Sequence, residues 1–302
     1  MARAELLACD WGTTNLRAWT LDAGGAVVAH REFDLGVSRL QPGEAARRFA
    51  EEVRPAMAAE QLPAMLCGMV GSTLGWTVAP YADCRAGLPE LADRLIEAAP
   101  GVRIAPGLRC EGIAGAPDVM RGEETQLMGW IAQAPERARG RHVVCHPGTH
   151  AKWVLIEDGR IVRFVTAMTG ELYAVLSRHS VLKSEGPADD DAAFDEGLAA
   201  AGGGEALAAR LFTVRARVVG GDAKPASTPS YLSGLLIGAE VAATPRLLGV
   251  RGAEPVALLG DAALCGFYRR ALDRLGIANQ TFDGEAAALA GLFALSTMGA
   301  DA

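Results

Sequence analysis

Two stretches, Leu6-Leu7-Ala8-Cys9-Asp10-Trp11-Gly12-Thr13-Thr14-Asn15 and Val143-Val144-Cys145-His146-Pro147-Gly148-Thr149-His150, each run an apolar strand into a Gly-Thr turn. Gly12 and Gly148 stand 136 positions apart, and the same offset carries Thr13 onto Thr149 and Asp22 onto Asp158. Each half therefore reads strand, Gly-Thr turn, strand, tight turn, strand. Such a turn offers backbone N–H groups and a hydroxyl, which suit phosphate oxygens. Two of them facing one another would clamp a polyphosphate, so the repeat points to a nucleotide-using protein of two related lobes.

Beyond the repeat, the pattern predicts an α/β chain. Strands are expected at 5–9, 16–21 and 26–33, then at 64–69 and 102–105, with helices at 44–60, 88–98 and 123–133. The second half repeats the three strands at 142–145, 152–157 and 160–166. A helix follows from 171 to 179, then a polar break at 184–192 with a capping run of aspartates, and helices at 192–213 and 230–248, with Gly202-Gly203-Gly204 a loop between helical segments. A buried strand at 256–259 leads into a helix ending near 275. A last strand at 277–282 precedes an Ala-rich helix to 296. This order fits layered α/β lobes with mixed sheets, divided at 138/139, with a ligand cleft between them.

Composition narrows the function. The 302 residues suffice for two domains, and half of them are apolar. A net charge of −7 without a dense basic run argues against nucleic acid or an anionic membrane as partner. No stretch reaches the ~18 apolar residues of a membrane span. Residues Met1-Ala2-Arg3-Ala4-Glu5 carry no apolar signal-type run. The six cysteines lack C-x-x-C spacing and read as reduced thiols of a cytoplasmic protein. Neither G-x-x-x-x-G-K-[ST] nor a strand-linked G-x-G-x-x-G is present, which excludes those phosphate loops.

Several residues could carry chemistry. Asp10 could hold Mg²⁺ against phosphates or simply bond its own turn. His146 occupies the matching position, so one lobe alone would hold the metal. Glu123 and Glu124 follow Arg121-Gly122 at a helix start. Either could be a general base, although acids there also favour the helix dipole. Only one of them can face the substrate, since helix neighbours diverge by about 100°. Gly68-Met69-Val70-Gly71-Ser72, with Trp76 beyond, is a loop where Ser72 could meet sugar hydroxyls. Lys152, Arg17, Arg85 and Arg121 compete as partners for phosphate or a substrate carboxylate, with solvated surface charge as the plain alternative. His150 could bond phosphate. Gly260-Asp261 opens a helix after a buried strand, which suits either a nucleotide or an ordinary N-cap.

These motifs together resemble the 2-keto-3-deoxygalactonate kinase family, within the superfamily of sugar kinases, heat-shock ATPases and actin. The resemblance rests on residues 10–19, Gly68-Met69-Val70-Gly71-Ser72 with Gly75-Trp76, and Val119-Met120-Arg121-Gly122-Glu123-Glu124-Thr125-Gln126-Leu127. It continues through Pro147-Gly148-Thr149-His150 with Lys152-Trp153, Met168-Thr169-Gly170-Glu171-Leu172 and residues 232–240, in family order. It implies two ribonuclease-H-like lobes of the actin-like ATPase fold with an interdomain cleft. It also implies ATP with Mg²⁺, and phosphorylation of the terminal hydroxyl of 2-dehydro-3-deoxy-D-galactonate in galactonate breakdown. By the same resemblance Asp10 is the metal-linked aspartate beside Gly12, Thr13 and Thr14. Gly148 and Thr149 meet the β- and γ-phosphates, with His150 and Lys152 beside them, and Gly260 lies in the adenosine segment. The base of many relatives is an aspartate after a glycine; the matching residue here is Glu123, with Glu124 the alternative. Ser72, Trp76, Arg17 and Arg121 fall to the sugar acid. Two rival readings remain: a kinase for a related acid such as 2-keto-3-deoxygluconate, or a non-catalytic actin-like assembly protein.

Overall fold

The computed structural model describes residues 3–184, 186–250 and 254–298. Glu185, inside the expected polar break, lies outside them. The strands are β1 Leu6–Trp11, β2 Leu16–Leu21, β3 Val27–Phe33, β4 Ala64–Cys67, β5 Tyr81–Asp83, β6 Ile96–Ala99, β7 Val102–Ile104, β8 Gly107–Glu111, β9 Pro117–Met120, β10 Arg141–His146, β11 Ala151–Glu157, β12 Arg160–Ala167, β13 Val256–Gly260 and β14 Asn279–Asp283. The helices are α1 Glu44–Arg48, α2 Arg54–Ala56, α3 Leu88–Ala92, α4 Glu123–Ala132, α5 Thr169–His179, α6 Asp191–Ala200, α7 Leu207–Val219, α8 Thr228–Leu247, α9 Ala262–Arg274 and α10 Gly284–Met298.

The repeat read from the sequence is a repeat of sheet topology. One sheet runs β3-β2-β1-β4-β7-β6 and another β12-β11-β10-β13-β14. In each, a three-strand meander supplies one edge and its first strand meets a later strand in parallel, β1 with β4 and β10 with β13. Residues Leu6–Trp11 are buried throughout, because β1 lies inside its sheet with packing on both faces. Around them gather Leu16, Leu35, Val37, Phe49, Leu66 and Ile104, all buried. The turn between β2 and β3 is closed by Asp22, whose carboxylate accepts from the N–H groups of Gly24 and Ala26 at 2.9 Å each.

The chain forms two compact units. The first comprises the residues up to Arg141, Ile156–Arg163 and the residues from Gly284 on; the second comprises His142–Leu155 and Phe164–Asp283. The helix α10, at the far end of the sequence, counts with the first unit. The reason is packing with α4. A Cβ at Gly129 would lie 1.8 Å from the Ala287 carbonyl oxygen, and one at Gly291 would lie 1.9 Å from that of Thr125. Small residues let the two backbones approach more closely than side chains allow.

Three expectations change. The segment 88–98 is helical only to Ala92; Ile96–Ala99 pairs antiparallel with β7 instead. Edge pairing across the Pro100-Gly101 turn outweighs local helix preference there. Residues 44–56 form one helical run containing a π-helical turn at Phe49–Val53, and stop short of 60. As the glycine run implies, residues 192–213 are helical segments interrupted at the Gly202-Gly203-Gly204 stretch. A third sheet, β5-β8-β9, is built from residues 81–83, 107–111 and 117–120, where the sequence carries only short apolar runs. The aspartate cap does form: Asp190 accepts from the Ala193 N–H at 3.0 Å. All six cysteines are free thiols. Among the described residues no helix is long and apolar enough to cross a membrane.

Gly129→Ala is expected to lower the unfolding free energy by about 1–3 kcal/mol through overpacking. Gly266→Ala in α9, where nothing lies within 4 Å of the added methyl group, should instead raise it by about 0.4–1 kcal/mol. Urea unfolding of both variants checks the pair; equal effects would remove the α4–α10 contact from the explanation.

Candidate active site

In the first unit the site grows from the end of β1. Asp10 is almost buried, and Arg17 stands directly opposite it on β2. A guanidinium nitrogen of Arg17 lies 2.6 Å from Asp10 Oδ2, and another lies 3.5 Å from Glu285 at the start of α10. Burial works against the charge on Arg17, but Asp10 and Glu285 outweigh it and hold the guanidinium above its ordinary value. Asp10, Gly12, Thr14, Asn15, Arg17, Glu32 and Glu285 line a cavity of about 370 Å³.

The Gly-Thr turn beside this cavity is braced from behind. Gly12 N donates to the Asn15 carbonyl at 2.9 Å, while Val37 N and Ser38 N donate to the carbonyls of Gly12 and Thr13. A Cβ at Gly36 would fall 2.2 Å from the Thr13 oxygen, so residues 36–38 lie flat against the turn. The carbonyls are thus engaged, whereas the N–H groups of Thr13 and Thr14 take no protein partner among the described residues. Both threonines are exposed. Residues 36–38 carried no site signal in the sequence; only the chain's return past the turn gives them this role.

Two glycines bring the loop before α4 to Asp10. Gly68 has φ +90°, and a Cβ there would meet the Trp11 carbonyl oxygen at 2.8 Å and Asp10 Oδ1 at 3.2 Å. Gly122 has φ +109°, and its Cβ would sit 3.2 Å from Gly68 Cα. A side chain at either position would be strained and would push the loop away. Gly122 is followed by the two candidate bases. Glu123 is half-buried and accepts from Arg121 N at 3.0 Å. Glu124 is fully buried, accepting from Gly122 N at 2.7 Å and from the Thr125 hydroxyl at 3.0 Å. Burial first, then the charge of Glu123, pushes the Glu124 carboxyl up from 4.5 to about 8. Both oxygens of Glu124 are occupied inside the protein, so Glu123 is the one of the pair open to a ligand.

The substrate-side candidates are more dispersed. The Ser72 hydroxyl donates to the Met69 carbonyl at 2.7 Å and accepts from Leu74 N, so it closes its own loop. Trp76 is half-buried and packs at a tilt on Phe49, with ring centroids 5.5 Å apart. Arg121 lies over the Tyr81 ring and donates to the Ala79 carbonyl. Its buried Nε and Nη1 have no partner among the described residues. Arg85 is paired with Glu157 at 2.7 Å.

In the second unit the matching turn follows β10. Gly148 and Thr149 N–H groups also take no protein partner among the described residues, and nothing lies within 4 Å of a Cβ built on Gly148. The start of α5 packs on this turn: Glu171 N donates to the Thr149 carbonyl at 3.0 Å. The His150 ring nitrogen Nε2 lies 2.5 Å from Glu171. Lys152 is buried on β11 and donates to the Thr166 hydroxyl at 2.9 Å. Gly260 adjoins the turn, since a Cβ there would be 3.7 Å from the Pro147 carbonyl oxygen. Asp261 caps α9 by accepting from Leu264 N.

Among the described residues no group of three or more His, Cys, Asp or Glu side chains is placed to hold a metal ion by itself. Asp10 nevertheless suits Mg²⁺, which commonly takes one or two carboxylates together with substrate phosphates and water.

Two meander-edged mixed sheets, each with a Gly-Thr turn after its first strand, define the actin-like ATPase and sugar-kinase fold, and solved structures of that class align over nearly the whole chain. The 2-keto-3-deoxy-galactonokinase family matches over residues 10–295. A Rhizobium meliloti protein assigned as a 2-dehydro-3-deoxygalactonokinase is 37% identical over 297 residues, covering 95% of each chain. The 2-dehydro-3-deoxygalactonokinase of Escherichia coli is 36% identical over 291 residues, covering 96% of each. The crystal structure of a Sinorhizobium meliloti protein described as a 2-dehydro-3-deoxygalactonokinase aligns with a TM-score of 0.85 at 35% identity, over 96% of this chain and 98% of that one. The chain belongs to the 2-keto-3-deoxy-galactonokinase family and is a kinase.

The raised Glu124 value has a sign that can be checked. A carboxyl that titrates higher in the folded chain than in the unfolded one stabilises the fold fully below 4.5 and loses that contribution as pH rises to about 8. Thermal unfolding followed across this window should show Glu124→Gln losing less stability with rising pH than the wild type. Parallel curves would place Glu124 in a polar environment.

Proposed function

We propose that the protein transfers the γ-phosphoryl group of ATP to the terminal hydroxyl of 2-dehydro-3-deoxy-D-galactonate, giving the 6-phosphate in galactonate catabolism. The observation that carries this reading is the family match across residues 10–295, supported by curated relatives of the same length. The N–H groups of Thr13, Thr14, Gly148 and Thr149 bind phosphate oxygens, with His150 and Lys152 close by and Gly260 toward the nucleoside. Arg17 neutralises Asp10 in the free protein. Mg²⁺, held through Asp10 and the phosphates, supplies charge neutralisation when bound. Arg121, Trp76 and the Ser72 loop form the sugar-acid side.

Glu123 takes the proton from the attacking hydroxyl. It is preferred over Glu124 on charge and access: Glu124 is buried and, at neutral pH, mostly protonated, and a base must be deprotonated and within reach of its proton. Phosphoryl transfer asks little covalent chemistry of the protein. Positioning and donors aimed at the phosphoryl oxygens do most of it. A cytoplasmic enzyme fits a small-molecule catabolic role of this kind.

The reading is tested by ADP release over a panel of keto-deoxy acids. Stimulation by 2-dehydro-3-deoxy-D-galactonate above its gluconate-derived epimer is expected; no stimulation by any acid would favour a non-catalytic nucleotide-binding protein. Glu123→Gln should reduce kcat by about 10²-fold or more while ATP still binds. Loss in Glu124→Gln with normal turnover in Glu123→Gln would transfer the role. Gly148→Ala should leave the melting temperature near that of the wild type, because its methyl group enters open space, yet raise KM for ATP. Asp10→Asn should weaken the response of activity to added magnesium, and an unchanged titration would remove Asp10 from the metal site.

A further inference from the structure

Helix α8 is buried along most of its length and apolar on nearly every face, yet it carries Glu240, which is 6% exposed. A lone carboxylate in such surroundings is strongly disfavoured unless donors surround it. Three do. Trp153 Nε1 donates to Oε1 at 2.7 Å, the Tyr268 hydroxyl donates to Oε2 at 2.9 Å, and the Thr169 hydroxyl donates as well. Trp153, Tyr268 and Thr169 are themselves buried. Burial pushes the Glu240 carboxyl above its ordinary value, and the three donors pull against that.

The donors come from three different elements, β11, α9 and α5, and two of them lead to the Gly148–Thr149 turn. Thr169 is the first residue of α5. The next residue, Gly170, lies flat on the turn: a Cβ there would fall 2.6 Å from the Gly148 carbonyl oxygen and 2.7 Å from Thr149 Cα. Glu171 N then donates to the Thr149 carbonyl. Trp153 follows Lys152 on β11, the strand that leaves the turn. An apolar residue at 240 would fill the same space. It would not anchor the start of α5 and β11 to one common point.

We propose that Glu240 is a positioning residue for nucleotide phosphates, holding Thr169 and Trp153 so that the Gly148–Thr149 turn keeps its N–H groups aimed at a phosphate. Glu240 touches neither ATP nor the sugar acid. The inference rests on the kinase reading and on the role of the second turn within it.

The test compares Glu240→Gln and Thr169→Val with the wild type. Glu240→Gln keeps the side-chain shape but offers a weaker neutral acceptor and one misplaced donor. It should raise KM for ATP about tenfold, the scale of losing charge-assisted hydrogen bonds, and leave KM for the sugar acid within about twofold. Thr169→Val removes one donor and should move KM for ATP in the same direction by a smaller factor. A merely structural role predicts lower melting temperatures with both KM values unchanged, and that outcome overturns the proposal. If Glu240→Gln fails to fold, Thr169→Val decides alone: an unchanged KM for ATP overturns it. Calorimetric titration with ADP separates this inference from the kinase reading. If the wild type binds ADP but phosphorylates no sugar acid, the kinase reading fails, while weaker ADP binding by the variants still supports Glu240 and unchanged binding still sinks it.

Discussion

The first site depends on backbone touching backbone at Gly68 and Gly122. The end of β4 reaches the Trp11 carbonyl, and the loop before α4 reaches Gly68, only because neither residue carries a Cβ. That contact sets Glu123 one residue beyond the strand ends that hold Asp10. A single methyl group at either glycine would push the loop that carries Glu123 away from the strand end that carries Asp10. Under the proposed mechanism, which tolerates little displacement, the glycines matter to the site as much as the carboxylates.

The same physics recurs at each carboxylate buried among the described residues. Asp10 is answered by Arg17 and Glu124 by the Gly122 N–H and the Thr125 hydroxyl, while Glu240 is met by Trp153, Tyr268 and Thr169. The three solutions differ in consequence. Asp10 is met directly by the Arg17 guanidinium. Glu124, held by backbone donors and one hydroxyl but fully buried beside a charged neighbour, is driven toward its neutral form. Glu240 draws three elements together. Burying a carboxylate is unfavourable in each case, and the donor set decides how each one is held.

Much of the architecture was legible in the residues. The 136-residue offset of the Gly-Thr turns anticipated the common β-sheet order, because a meander followed by a parallel strand writes the same alternation of apolar runs and turns each time. Long periodic segments such as α4, α8 and α9 were readable for the same reason. The β5-β8-β9 sheet and the switch of Ile96–Ala99 from helix to strand were not, since strands of three or four residues carry too little pattern and take their state from the partner they meet.

The sequence by itself determined the family, the two Gly-Thr turns and the short set of acids near them, because those depend on residue type and order. Tertiary structure alone decided which acid of the Glu123–Glu124 pair is buried and that Glu285 reaches Arg17. It also decided that Glu240 gathers donors from β11, α5 and α9. Each of those facts depends on burial and on contacts between residues far apart in the chain, and the free energy of a charge is set by what surrounds it in space, which residue order does not encode locally.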